Sequence, residues 1–215
     1  MERVNAKPGT EAPIGASPHR IEALVDGVFA VAMTLLVLEL HVPELPSTVS
    51  DHELLSALRE LAPKFMGYAS GFVILGTIWI GHHLQFHYIR RSSRALLWIN
   101  LAFLLISSSL PFAVALLGTF GAMRVPCVLY GGISFLGMTC LLIQWTYAQR
   151  HLVADDVPVS VRRGLRNRVL MGMIGYGGGL VLGLIVPLVS LIVYVVTPLL
   201  YLLPARFDRD VHPVE

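Results

Sequence analysis

The chain has 215 residues, 55% of them hydrophobic and 14% charged, with a formal net charge of +2 and a mean hydropathy of +0.69. A water-soluble domain carries about a quarter charged residues. Here the few charges are gathered into short blocks between long apolar runs, the pattern of an integral membrane protein, and so small a net charge, without a basic tract interleaved with aromatics, gives no footing for a nucleic-acid partner.

In chain order, residues 1–19 are polar, hold Gly and Pro and lack the apolar core of a cleavable signal peptide, so they predict a mobile cytoplasmic tail. Six apolar runs come after it, at 21–42, 65–81, 96–117, 125–147, 169–186 and 188–203. Spanning takes about 20 residues and at least about 17. The fifth and sixth runs are separated by Pro187 alone and predict a tight helical hairpin. Residues 20–204 then form one all-α, six-helix membrane domain, with 205–215 a short cytoplasmic tail. Between the first two runs, "SDHELLSALRELAPKF" has Ser50 and Glu53 at capping-box spacing. Its Leu54, Leu55, Leu58 and Leu61 fall at helical intervals, which predicts an extracytoplasmic helix leading into the second span.

Loop charge orients the chain. Arg3, Lys7 and Arg20, then Arg90, Arg91 and Arg94, then Arg150, Arg162, Arg163, Arg166 and Arg168, and last Arg206 and Arg209 fall on one side. The other side receives only Arg59, Lys64 and Arg124, with the acids Glu44, Asp51, Glu53 and Glu60. With an even number of spans, the positive-inside rule places both termini in the cytoplasm.

Polar groups inside the spans carry any chemistry there is. In "RIEALVDGVFAVAMTLLVLELH", Gly27, Val31, Thr34, Leu35 and Leu38 form one helical stripe, small or branched with a single hydroxyl. Such a stripe suits a pore-lining helix, and it suits an ordinary packed helix as well. Asp26 lies about 100° to one side. An ionisable group at the membrane is a candidate functional site, and a carboxylate near a helix N-terminus also has a plainer role, favoured by the helix dipole and paired with an arginine. His82, His83 and His87 close the second run. Adjacent histidines point about 100° apart, and no Cys, Asp or Glu lies close in sequence to complete a metal shell with His83 and His87. The expected role of the cluster is structural, bonding Asp26 or Asn100 at the cytoplasmic mouth, with pH sensing as an alternative. Ser107, Ser108 and Ser109 precede Pro111 and predict a kink whose freed carbonyls the hydroxyls satisfy. Gly175, Gly179 and Gly183, like Gly67 and Gly71, predict close helix approach, with subunit packing as the expected use. Cys127 and Cys140, 13 residues apart on one run, cannot bridge each other. No nucleophile elbow, HExxH or phosphate-cradling loop is present, so neither an enzyme nor a cofactor is expected.

Three of these stretches, in order, resemble the transmembrane protein 175 family of potassium channels. The first carries the family's arginine and aspartate at their six-residue separation as Arg20 and Asp26, with Leu24-Val25 standing where the family has Phe-Ser. "WIGHHLQF" is similar to the Trp-x-x-His-His ending of the second helix, and "LLWINLAFLLISSSLPF" to the third helix. The resemblance implies a homotetramer whose first helices line a central pore, with rings of apolar side chains as the constriction and a threonine layer favouring potassium. Carried onto this sequence, those positions are Val31, Thr34, Leu35 and Leu38, with Val31 smaller than the family's Ile or Leu. It also implies that Arg20, Asp26, Trp79, His82, His83 and Asn100 form a cytoplasmic-side polar network holding the first helix.

The leading expectation is therefore a homotetrameric, potassium-permeable cation channel in a bacterial plasma membrane, with potassium as permeating ion. A proton-linked transporter with Asp26 and His82 or His83 as relay is a second class. The absence of an inverted repeat and the scarcity of membrane acids stand against it. A haem-binding or structural membrane protein, motivated by the histidines, is a third.

Overall fold

The computed structural model describes residues 17–121 and 123–202, and all the described secondary structure is helical apart from one isolated bridge. The expected tails, 1–16 and 205–215, lie outside the described residues, as does the end of the sixth run at Leu203. Helix α1, Pro18–Leu35, starts two residues before the expected start of the membrane domain at 20. Proline fits there because its missing N–H falls among the first helical donors, which have no intrahelical acceptor. The chain then tightens into a 3-10 turn, Leu36–Glu39, and stops short of residue 42. Pro43 keeps Val42 out of the helical region, so the helix cannot reach the expected end.

Helix α2, Asp51–Glu60, has the predicted capping box. Ser50 Oγ accepts from Glu53 N at 3.4 Å, and Glu53 Oε2 accepts from Ser50 N at 2.9 Å and from Ser50 Oγ at 2.7 Å. These bonds favour the ionised carboxyl and hold Glu53 below the usual glutamate value. Helix α3, Ala62–Phe86, comes after Leu61 alone. It runs through His82 and His83, past the expected end at 81, because no proline interrupts it after the first turn and Gly81 is carried inside the helix.

The third run is broken into α4, Arg94–Ser108, and α5, Leu110–Phe120. Ser109 N turns to Ile106 O at 3.2 Å, so Leu105 O loses its helical donor and takes Ser108 Oγ at 3.0 Å instead. Ser109 Oγ donates to Ile106 O at 2.7 Å. Two of the three serines thus satisfy carbonyls at the break, while Ser107 Oγ is buried without a partner. Helix α6 covers Arg124–His151.

Helix α7, Val159–Ile185, begins ten residues before the expected 169. The arginines assigned by sequence to a loop ride on its first turns. Arg162 bonds Ala154 O at 2.8 Å and Val157 O at 3.1 Å, so it fastens the incoming loop to the helix. Helix α8, Pro187–Leu199, continues into a 3-10 turn, Leu200–Leu202.

Five helical segments are long and apolar enough to cross a membrane: α1 with its 3-10 turn, α3, α4 with α5, α6 and α7. With 13 residues, α8 falls below that length.

The glycines pack within the subunit, which corrects the expectation that they join subunits. On α7, a Cβ at Gly175 would meet Thr197 of α8, one at Gly179 the Tyr194 ring, and one at Gly183 Cys127 of α6. A Cβ at Gly71 would lie 2.7 Å from Val114 Cγ2 on α5. Backbone approach of this kind supplies dispersion contact where lipid removes the hydrophobic drive between helices. At the far end of the hairpin, Arg168 donates to Tyr201 O and stacks over its ring at 5.6 Å, and Tyr201 OH returns a bond to Arg168 O at 2.7 Å.

Replacing Gly179 by alanine is expected to push Tyr194 off its bond to Cys127 O, which spans 2.9 Å. Overpacking of this kind costs about 1–3 kcal/mol, and a thermal melt followed by size-exclusion chromatography should show a clear downward shift. Gly178→Ala, where a Cβ meets nothing within 4 Å, should leave the midpoint in place.

Candidate functional site

Helix α1 presents two faces of opposite character. Ile21, Val25, Phe29, Ala32 and Leu36, at spacings of four, four, three and four, are all buried against α3, α4 and α5. The other face carries the sequence stripe, with Val31 57%, Leu35 46% and Leu38 65% exposed, and Thr34 and Gly27 exposed beside them. Leu38 sits in the 3-10 turn instead of on the α-helix, yet it remains on the open side. A groove of about 360 Å³ runs along this face, lined by Leu24, Gly27, Val31 and Leu35, with Ser108 of α4 at its edge. A Cβ at Gly27 would meet nothing within 4 Å, so packing inside the subunit does not require a glycine there.

Thr34 Oγ1 lies 2.9 Å from both Ala30 O and Val31 O and donates back to its own helix. Its hydroxyl hydrogen is thereby committed to its own helix, and the oxygen keeps its capacity to accept.

The six anchoring residues fall into two clusters with one residue apart. In the first, Trp79 Nε1–H donates to Asp26 Oδ1 at 2.7 Å, which ties α1 to α3. His83 stacks on Trp79 at 5.6 Å with rings 19° apart, and its Nδ1 stands 4.0 Å from Glu22 Oε1. In the second, His82 is buried and its Nε2 donates to Asn100 Oδ1 at 2.8 Å, while Asn100 Nδ2 donates to Leu96 O at 3.0 Å. His82 also lies parallel to Phe103 at 5.2 Å and to Phe86 at 4.4 Å, and Phe103 stacks on Phe29 at 5.7 Å. A continuous ladder, Phe29–Phe103–His82–Phe86, therefore crosses from α1 through α4 to α3. Asp26 bonds Trp79 and makes no hydrogen bond to His82 or Asn100. Arg20 is exposed, and its side chain has no hydrogen bond or ion pair among the described residues.

Sequence reasoning passed over Phe29, Phe103, Phe86 and Glu22. Phe29 was accessible to it, since it lies four residues from Val25 on the face opposite the stripe. Glu22 carried no such signal. Between α3 and α6, Gln144 Nε2 donates to Gln85 Oε1 at 2.9 Å and Gln85 Nε2 to Leu141 O at 3.1 Å, a buried polar link that was also missed. Among the described residues, no group of three His, Cys, Asp or Glu side chains is placed to hold a metal ion.

Comparison with known proteins places this architecture. The family model described as "Endosomal/lysosomal potassium channel TMEM175" matches residues 20–111, the stretch from α1 to the α4–α5 break. A protein of Streptomyces collinus named as a potassium channel is 31% identical over 163 residues, covering 73% of this chain and 78% of its own length. The human protein named as the endosomal/lysosomal proton channel TMEM175 is 33% identical over 169 residues, covering 72% of this chain. This chain spans only 32% of that protein's length. The crystal structure of a lysosomal potassium-selective channel TMEM175 homolog from Chamaesiphon minutus superposes with a TM-score of 0.74 at 28% identity, covering 86% of this chain and 96% of that one. The relatives are channels and not enzymes, and together with the family model they settle the lineage: the chain belongs to the TMEM175 family.

Proposed function

We propose that the chain is the subunit of a potassium-permeable cation channel, a homotetramer in a bacterial plasma membrane with α1 of each copy lining the fourfold axis. The observation that carries this reading is the open face of α1, where Val31, Leu35 and Leu38 are left exposed while the opposite face is fully packed. Gly27 adds support, because nothing inside the subunit accounts for its size. Four copies of the stripe would form apolar rings through which ions pass partly dehydrated, and such rings close by dewetting.

Thr34 contributes an oxygen facing the ion, since its hydrogen is held by its own helix. Thr34→Ala would then weaken potassium preference over sodium. Asp26–Trp79 and the His82–Asn100 ladder hold the helix from behind. In this reading α8 with its 3-10 extension completes a sixth, thinner crossing, both termini are cytoplasmic, and residues 20–204 are one channel domain flanked by the tails 1–19 and 205–215.

The test is flux from proteoliposomes at defined gradients. Conductive potassium flux exceeding sodium flux and insensitive to an imposed proton gradient supports the channel, whereas obligatory proton coupling overturns it in favour of a transporter. The printed name of the human relative, a proton channel, supports a second reading in which protons also permeate. A pH-sensitive dye in the same vesicles reads that directly.

A further inference from the structure

Helix α2 is the one described α-helix without a buried residue. Leu54, Leu55 and Leu58 are exposed on one side of it, shared with Asp51 in the capped first turn, while His52, Ser56, Glu60 and Glu53 occupy the opposite arc and Arg59 lies at the border. Its cap is self-sufficient, so α2 holds its N-terminus without tertiary contact.

The junction with α3 sets its position. Leu61 keeps helical dihedrals, φ −77° and ψ −9°, and Phe65 N bonds Leu61 O at 2.9 Å, so the chain enters α3 with its helical phase nearly kept. Leu54, Leu58, Leu61 and Phe65 therefore recur at intervals of four, three and four, one stripe running from α2 onto the first turn of α3, where Phe65 and Met66 are exposed. That turn stands level with the outer ends of α1 and α5. Lys64 Cα lies 3.8 Å from where a Cβ on Gly118 would be, and Glu39, His41, Lys64, Tyr68 and Thr119 line one polar cavity there.

We infer that α2 lies along the outer membrane surface, with Leu54, Leu55 and Leu58 in the acyl-chain boundary and the polar arc toward water. The inference rests on the reading that α3 crosses the membrane. The occupant of the leucine face is lipid, because the stripe is continuous with the apolar flank by which α3 enters the bilayer. The charge of the helix specifies the kind of lipid. Asp51, Glu53 and Glu60 against Arg59 give a net charge of −2, the reverse of the basic helices that seek anionic headgroups. Contact is therefore apolar, requires no acidic lipid and resists salt.

Spin labels on single cysteines in the full chain, reconstituted in phosphatidylcholine vesicles, test this. The background is Cys140→Ala with the fully buried Cys127 left in place. Labels at L54C, L55C and L58C should collide more with membrane-dissolved oxygen than with an aqueous nickel chelate, and labels at H52C, S56C and E60C should show the reverse. Adding phosphatidylglycerol or raising salt should change neither pattern. Nickel access at every α2 position would overturn the inference, leaving the helix in water. Shielding of 54, 55 and 58 from both reagents would also overturn it, by showing a second copy on that face. Labels at F72C and I80C, on the exposed side of α3, separate the two readings: if these lack oxygen preference, it is the membrane span that fails.

Discussion

Leu35→Ala is expected to raise potassium conductance and lower discrimination between potassium and sodium. Leu35 lies on the open face of α1, 46% exposed in the subunit, and in the proposed tetramer four copies form one ring. Truncation to alanine widens the ring and shortens the apolar stretch that an ion crosses without its full hydration shell. A barrier lowered by about 1 kcal/mol corresponds to roughly a fivefold rise in rate, and four truncated side chains in one ring reach at least that scale. Single-channel recording in planar bilayers reads both effects. Val31→Ala should act in the same direction but less, because valine loses fewer carbons. Val25→Ala, on the buried face of the same helix, should alter stability and leave selectivity alone. An unchanged conductance in Leu35→Ala, with the tetramer intact, would place the stripe elsewhere.

His82→Ala should be the most destabilising single change in the region behind α1. The imidazole is buried, donates to Asn100 Oδ1 and fills the space between Phe86 and Phe103. Its removal leaves a cavity and an acceptor without a donor. Cavity formation alone costs about 2–5 kcal/mol, and an unsatisfied buried group about 1–3 kcal/mol more. The adjacent His83→Ala is a sharp control. That ring is exposed, stacks on Trp79 and stands 4.0 Å from Glu22, contacts worth at most about 1 kcal/mol. Thermal midpoints in detergent should therefore fall well below wild type for His82→Ala and stay near it for His83→Ala. Similar losses for both would mean that the ladder does not hold the bundle together.

Why two neighbouring histidines differ was only partly legible in the sequence. Helical geometry shows that they point apart, but which of them meets Asn100 depends on how α3 is rotated against α4. The pairing of Asp26 with Trp79 was hidden for the same reason, since their separation of 53 residues is closed only by packing. Local rules fared better. Ser50 and Glu53 marked the start of α2, and Pro111 with its serines marked the break between α4 and α5, because each depends on neighbouring backbone atoms alone.

Two departures from expectation have separate physical origins. Arginines at 162, 163, 166 and 168 lower hydropathy without breaking a helix, so α7 began earlier than its apolar run. Glycines at 175, 179 and 183 announce close approach but not the identity of the approaching group. Here it is Thr197, Tyr194 and Cys127 of the same chain. On α1 only the stripe through Val31, Leu35 and Leu38 was read from the sequence; the buried face, Ile21, Val25, Phe29, Ala32 and Leu36, obeys the same helical period but was not singled out.

The central claim, that the open face of α1 is the ion path, is tested most directly by Leu35→Cys in a Cys140→Ala background, treated with a charged thiol reagent while potassium flux from proteoliposomes is recorded. With α1 lining the pore, the reagent reaches the cysteine from water and flux falls to background as the residue is modified. Continued potassium flux with the cysteine fully modified, or with it shielded from aqueous reagent throughout, would contradict it.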